Sequence, residues 1–350
     1  MKRDIKSVLP CELEAYFVST GEQKYRAKQV FTALHKGVRK FTDMNNLSAE
    51  LRSKLDNEFY ISSLDLLEKQ VSVKDNTVKY LWRLHDNEAV ECVLMEYEHG
   101  NTLCISTQVG CKMGCLFCAS AIDGFKRNLT ASEMLDQILF TSFDLDTVSS
   151  AKSRISNVVL MGIGEPLDNF DNVMRFIMLI NDNNGINIGA RHITVSTCGI
   201  IENIDKMAQY DVQLTVAISL HAPDDSTRTY LMPVNKNVGV KALVEAGKRY
   251  FKKTGRRITY EYAMIDGIND SIEQADMLSS LIKDTSSHLN IILLNNVNES
   301  ILTPGSKKNT DRFLRVLKNN GVNYTVRRSL GTDIDAACGQ LRRRRLQEMD

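Results

Sequence analysis

Thr102-Leu103-Cys104-Ile105-Ser106-Thr107-Gln108-Val109-Gly110-Cys111-Lys112-Met113-Gly114-Cys115-Leu116-Phe117-Cys118 is a short β-forming run followed at once by a loop with three cysteines in C-x3-C-x2-C spacing. Three thiolates on one tight loop can each ligate one iron of a 4Fe-4S cube, leaving the fourth iron open for a ligand that is not protein. Structural zinc is the alternative, but it wants four closed ligands, usually in paired C-x2-C groups, and the chain has no second pair. A third reading, buried thiols that bind nothing, loses weight once the preceding strand is taken into account.

The same run opens a series. Beyond residue 100, TLCISTQ, NVVLMGIG, HITVSTCG, LTVAISLHA, RITYEYAMI, NIILLNN and NYTVRRS alternate with helical stretches, the mark of parallel βα units. Six units and a final edge strand predict an α/β fold of the incomplete (β/α)6 barrel type; periodicity alone also allows an open doubly wound sheet. In barrels, chemistry sits at the C-terminal strand ends. Those ends carry QVGCKMGC, GIGEP, STCG, SLHAP and LLNN.

Upstream, LEAYFVSTGE, YRAKQVFTALHKGV and LSAELRSKLDNEF read as helices, with Ser48 as an N-cap and Leu47, Leu51 and Leu55 at helical spacing. Residues 1–60 are therefore expected to form a small helical accessory domain. Residues 61–100 are expected to link it to the barrel through short strands that turn at Asp75-Asn76 and Asp86-Asn87. The barrel core is expected over 101–350.

Composition sets the bounds. A chain of 350 residues can bury a barrel-sized core and a small appended domain, and eight cysteines are too sparse for a disulfide scaffold. The N-terminus lacks an apolar signal region and no segment reaches membrane-spanning length, so a cytoplasmic location is expected, with no membrane partner. A formal net charge of +1 decides nothing about polyanions. Local basic runs matter more: Lys24, Arg26, Lys28, Lys36, Arg39 and Lys40; Lys252 to Arg257; and Arg342 to Arg345.

The cysteine motif, with Phe117 before its last cysteine, resembles that of the radical S-adenosylmethionine (SAM) superfamily. Over nearly its full length the chain is similar to the RlmN/Cfr family of RNA adenosine methyltransferases. The residues carrying this are TLCISTQVGC, MGIGEPLDNFDNV, RHITVSTCGI, ISLHAPDD, LMPVNK and GTDIDAACGQLR. The resemblance implies that Cys111, Cys115 and Cys118 ligate the cluster, and that Gly164, Glu165, Ser196, Ser219, Leu220, His221 and Asn295 line SAM. It further implies that Cys338 carries the methyl group, that Cys104 is its partner thiol, and that Glu91 accepts a proton. Pro166-Leu167-Asp168-Asn169 resembles the branch acting on C2 of an adenosine in 23S rRNA and sometimes in tRNA. The alternative is the antibiotic-resistance branch, which methylates C8 of the same rRNA base and more often has alanine in place of Pro166. The chain departs from the family in Leu293 to Asn298 and varies slightly in the Ala119 to Gly124 loop.

Two extra thiols make chemical sense beside such a cofactor pair. An adenine ring carbon is too weak a nucleophile to take the methyl group of SAM, whereas a thiolate can. Cys338 is therefore expected to be methylated by displacement. A second SAM supplies the radical that activates the S-methyl group, and attack by Cys104 on the Cys338 sulfur releases methylated RNA and leaves a disulfide to be reduced. The resemblance also implies an electron donor such as a flavodoxin-type system and a protein acting as a monomer. A target adenine must be extruded or lie in a loop to reach a barrel interior. The Tyr25 to Phe41 stretch and the arginine-rich tail are expected to grip the surrounding phosphates. Cys11, Cys92 and Cys198 are expected to be quiet thiols.

Overall fold

The computed structural model describes residues 2–98, 100–148, 154–294, 302–335 and 339–347, so Asn295 and Cys338 lie outside the described residues. Along the chain run β1 (Arg3–Asp4), α1 (Pro10–Ser19), α2 (Tyr25–His35), α3 (Ala49–Glu58) and β2 (Phe59–Tyr60). Next come β3 (Asp65–Val71), β4 (Val78–Arg83), β5 (Ala89–Tyr97), β6 (Gly100–Cys104), β7 (Gln108–Gly110) and β8 (Phe125–Asn128). The repeating part follows: α4 (Ala131–Val148), β9 (Ile155–Leu160), α5 (Phe170–Asn181), β10 (Ile193–Thr197), α6 (Ile201–Met207), β11 (Thr215–Ser219), α7 (Asp225–Leu231) and α8 (Val240–Thr254). The chain closes with β12 (Ile258–Met264), α9 (Ile272–Ile282), β13 (Ser287–Leu293), α10 (Lys307–Asn319), β14 (Tyr324–Val326) and α11 (Gln340–Gln347).

The strand order decides between the two α/β alternatives. The large sheet runs β14-β13-β12-β11-β10-β9-β6-β5-β4-β3. From β6 to β14 every neighbouring pair is parallel and in chain order. A doubly wound sheet reverses order at a switch point; a barrel never does. The result is the incomplete barrel, with six βα units and β14 as the last strand.

Local chemistry explains the element ends. Ser48 accepts a hydrogen bond from Leu51 N at 3.2 Å to start α3, and Asp224, Ser271 and Ser306 cap α7, α9 and α10 in the same way. Gly255, at φ 69°, closes α8 in the left-handed conformation. Asn76 and Asn87 also adopt positive φ (59° and 65°), so the two turns lie where the asparagines placed them.

Residues 61–100 do more than connect. β3, β4 and β5 are antiparallel strands joined to the barrel through β5 and β6, extending one sheet from barrel to edge. The helical unit also shares the apolar core, which runs from Ile5, Phe17 and Phe31 through Trp82 to Leu289 and Phe313. Its entry is fixed by a buried Lys6–Asp136 ion pair, with Ser62 Oγ donating to the second Asp136 oxygen at 2.8 Å. No helix among the described residues is long and apolar enough to cross a membrane.

Candidate active site

Because β6 and β9 to β13 are parallel, their C-terminal ends share one rim. Cys104 is the last residue of β6 and pairs with Val159 of β9 on one side and Val93 of β5 on the other. After it the chain rises through β7 into the cysteine loop. Gly110, at φ 72°, makes the turn: a Cβ there would lie 1.7 Å from the Gly124 carbonyl oxygen.

The loop is held from below. Leu116 N donates to Leu231 O at 3.0 Å, at the end of α7, and Phe117 meets the His221 ring edge-on with centroids 4.8 Å apart. Met113, Cys115 and Phe117 pack against Cys198, Leu231, Met232 and Ile265, an apolar shell that limits water access. Burial pushes the Cys111 thiol up to about 11 and that of Cys115 higher still, and both also feel the charge of Cys118. Among the described residues no three His, Cys, Asp or Glu side chains are gathered in closed metal-binding geometry. The fit to an iron-sulfur cluster therefore lies in the loop: three thiols within electrostatic reach, an apolar surround and a fixed backbone.

The second rim segment, Gly162 to Pro166, lies against the first. Thr107 N and Gln108 N donate to Ile163 O (2.9 and 3.1 Å), and Glu165 N donates to Gln108 Oε1 at 2.9 Å. Gly164 has φ 111°, and a Cβ there would sit 2.6 Å from that of Gln108. The buried Glu165 carboxylate accepts from Leu167 N (3.0 Å) and Cys198 N (2.8 Å), tying this segment to the end of β10. Burial raises its pKa, and these hydrogen bonds oppose the rise.

Ser196 lies within β10 and Ser219 ends β11. Leu220 and His221 follow, both buried. His221 takes an unusual φ of 56°, accepts from Ala263 N through Nδ1 at 2.9 Å, and is held neutral by burial, its pKa lowered to about 3. Accepting at Nδ1 places the ring proton on Nε2. Asn295 follows β13 but lies outside the described residues.

Sequence reasoning missed the residue that organises this rim. Arg228 is fully buried and donates to four oxygens: Leu220 O (3.0 Å), Asn235 Oδ1 (2.7 Å), Cys198 O (2.6 Å) and Ser219 O (2.9 Å). It thus staples the ends of β10 and β11 to the Leu231 to Lys236 segment beneath the cysteine loop. The only trace in the sequence is its position between SLHAP and LMPVNK.

The C-terminal residues reach the same rim. Cys338 itself is outside the described residues, but Gly339, bonded to it, has φ 83°, and a Cβ there would lie 2.7 Å from Ser120 N, just past Cys118. Gly339 N donates to Glu91 Oε2 at 2.8 Å and Arg342 N to Glu91 Oε1 at 2.5 Å. Ser106 Oγ links the Glu91 carbonyl (2.6 Å) to Ile163 N (3.1 Å), two residues past Cys104. Part of the basic tail is used internally: Arg342 is buried and pairs with Glu88 (3.2 Å) and Asp123 (3.3 Å), and Arg344 pairs with Glu68. Cys92 and Cys198 are buried with raised pKa values, and Cys11 is exposed.

Comparison with known proteins agrees with this arrangement. Residues 105–278 match the radical SAM superfamily, and residues 6–61 match the N-terminal domain of ribosomal RNA large subunit methyltransferases. The chain is 47% identical over 346 residues to a probable dual-specificity RNA methyltransferase RlmN of Alkaliphilus oremlandii, covering 99% of each protein. It is 46% identical over 343 residues to the like-named protein of Lachnoclostridium phytofermentans, covering 98% of this chain and 95% of that one. A crystal structure of a radical SAM methyltransferase from Sphaerobacter thermophilus superposes with a TM-score of 0.90 at 36% identity, covering 97% of this chain and 98% of the other. The chain belongs to the RlmN family of the radical SAM superfamily.

Proposed function

We propose that the chain methylates C2 of an adenosine in 23S rRNA, and an adenosine in tRNA, through an S-methyl intermediate on Cys338. One observation carries this reading: Gly339, next to Cys338, is seated on Glu91 and against Ser120, where the cysteine loop and the end of β6 meet. Gly339, Cys104 and the cysteine loop thus lie at one rim, which supports a shared role for Cys338 and Cys104.

Cys111, Cys115 and Cys118 would hold the 4Fe-4S cluster, and Gly164, Glu165, Ser196, Ser219, Leu220, His221 and Asn295 would line SAM. Bound together, the two supply a carbon-centred radical on demand. The chain's own groups do the rest. Cys338, as thiolate, takes a methyl group from SAM, its C–S bond forming as the sulfonium C–S bond breaks. Once that radical has drawn a hydrogen atom from it, the S-methyl carbon of Cys338 bonds to C2 of the adenine, and Glu91 takes the proton that C2 gives up. Cys104 then attacks the Cys338 sulfur, the S–S bond forming as the bond from that sulfur to the transferred carbon breaks, which releases the methylated base and leaves a Cys104–Cys338 disulfide for an external reductant. The half-buried glycines Gly162 and Gly164 keep the backbone close to the ligand, and the apolar shell keeps water from the reacting centre. Residues 1–60 form the RNA-gripping unit, the protein acts in the cytoplasm as a monomer, and a flavodoxin-type donor supplies electrons.

The test is anaerobic incubation of reconstituted protein with SAM, reductant and unmodified 23S rRNA, followed by nucleoside mass spectrometry. 2-Methyladenosine is expected, and Cys338→Ala is expected to lose it while retaining iron. 8-Methyladenosine would move the activity to the other ring carbon; no methyladenosine from protein with an intact cluster would sink the reading.

A further inference from the structure

A buried ion pair that the sequence did not signal lies beneath the carrier segment. Lys79 on β4 and Glu91 on β5 are diagonal cross-strand neighbours, since Lys79 pairs with Val93 and Leu81 with Glu91. Their side chains are 0% and 3% exposed, and Lys79 Nζ lies 2.8 Å from Glu91 Oε2. Burying an ammonium and a carboxylate carries a desolvation cost that an apolar pair of the same size would avoid. What the pair does with its remaining hydrogen bonds supplies the reason for it. Lys79 Nζ also donates to the Asp335 carbonyl at 2.5 Å. Glu91 accepts from Gly339 N and Arg342 N. One ion pair therefore grips the chain on both sides of residues 336–338.

The strands around it continue the grip. Asp335 N donates to Gln70 Oε1 at 3.0 Å. The exposed Asp333 accepts from Ser72 Oγ (2.6 Å) and Val73 N (2.9 Å), and Gly331 N donates to Asp75 Oδ2 (2.8 Å). The β3–β5 extension is thus a dock for the C-terminal segment.

We propose that Lys79 is a positioning residue. Its ammonium, shared between Glu91 and Asp335, clamps both ends of the short segment bearing Cys338 and keeps the methylated sulfur in line with Cys104 and the RNA base. The proposal rests on Cys338 being the methyl carrier. A positioned S-methyl group and a loose one differ in coupling, because SAM cleavage needs only the cluster loop and the residues that line SAM, whereas product also needs the carrier in register.

The experiment measures, in one anaerobic reaction with SAM, reductant and 23S rRNA, methylation of the Cys338 peptide, 5′-deoxyadenosine and methyladenosine. For Lys79→Met, methyladenosine per 5′-deoxyadenosine is expected to fall about 100-fold, the scale of a misplacement near 1 Å. Lys79→Arg, which keeps charge and donors, is expected to recover to within about tenfold of the unaltered protein. An unchanged ratio in folded, iron-loaded Lys79→Met overturns the clamp. Should that variant fail to fold, Asp333→Ala at the exposed end of the dock decides instead: a ratio lowered severalfold supports the clamp and an unchanged ratio overturns it. Cys338→Ala separates the two ideas, since product from that variant would remove the carrier reading itself, whatever Lys79 does.

Discussion

Arg228 concentrates more structure than any other single side chain at the rim. Its guanidinium fills a site with no solvent access and satisfies three backbone carbonyls and Asn235. Burial lowers its pKa, opposed chiefly by the nearby thiols Cys198 and Cys115. Arg228→Met keeps the length and removes the donors, leaving several acceptors unpaired in a dry site. The expected cost is about 3–5 kcal/mol of stability, read as a lower urea midpoint at unchanged slope, together with less iron bound per chain. A midpoint unaltered by the substitution would mean that the four oxygens find other donors. Lysine would not substitute well, because its three donors radiate from one point and cannot span carbonyls on separate strands.

At the scale of elements, α2 carries a pH-sensitive joint between helical unit and barrel. His35, at its C-terminal end, packs against Phe31 with centroids 4.1 Å apart and accepts from Ile186 N at 3.3 Å. Burial lowers its pKa to about 4, with a smaller opposing pull from Asp182 and a minor lowering by Lys6. The folded protein therefore keeps His35 neutral where the unfolded chain, titrating near 6.5, binds a proton. The stability contributed by this neutral His35 is complete above about pH 6.5 and is lost as pH falls towards 4, by up to about 3 kcal/mol; buried His221, lowered to about 3, adds a loss over the same range. His35→Gln should therefore lessen the slope in urea unfolding measured from pH 7.5 to 4.5 and leave the share of His221; an equally steep slope in the variant would assign the acid sensitivity to other groups. The elements also show what the sequence reveals and conceals. Ser48, Asn76 and Asn87 mark ends and turns through their own backbone chemistry, so they are legible one residue at a time. The barrel is legible because each strand ends in a recognisable rim segment. The β7–β8 hairpin, by contrast, pairs three residues with a stretch that lacks alternation. The union of β3–β5 with the barrel sheet depends on a long-range register that leaves no local mark. Lys79, flanked by Val78 and Tyr80, reads as the solvent side of a strand until β5 and the C-terminal segment cover it.

For the whole molecule, the shared core means that the helical unit cannot be removed without baring the apolar barrel residues that share a core with Ile5, Phe17 and Phe31. RNA binding is better tested by point changes on its surface. Arg39 and Lys40 are exposed beside a cavity that Lys2, Arg52 and Tyr60 also line. Replacing both Arg39 and Lys40 with Gln should weaken binding to 23S rRNA fragments and lower the slope of log affinity against log salt by roughly two, one for each phosphate no longer neutralised. Fluorescence anisotropy at several salt concentrations reads this, and an unchanged slope would place the phosphates elsewhere. The C-terminal segment, meanwhile, has a second effect unconnected with catalysis. β3 is the outermost strand of a ten-stranded sheet and exposes Leu66, Leu67, Val71 and, just past its end, Val73. A bare apolar edge of this kind recruits strands from other molecules. Here Asp333 occupies the Val73 amide, while Asp335 and Arg344 lie over Gln70 and Glu68 with their charges. The charged residues that flank residues 336–338 thus guard this edge against strands from neighbouring copies of the protein, so the segment proposed to carry the methyl group has a second task in keeping copies apart.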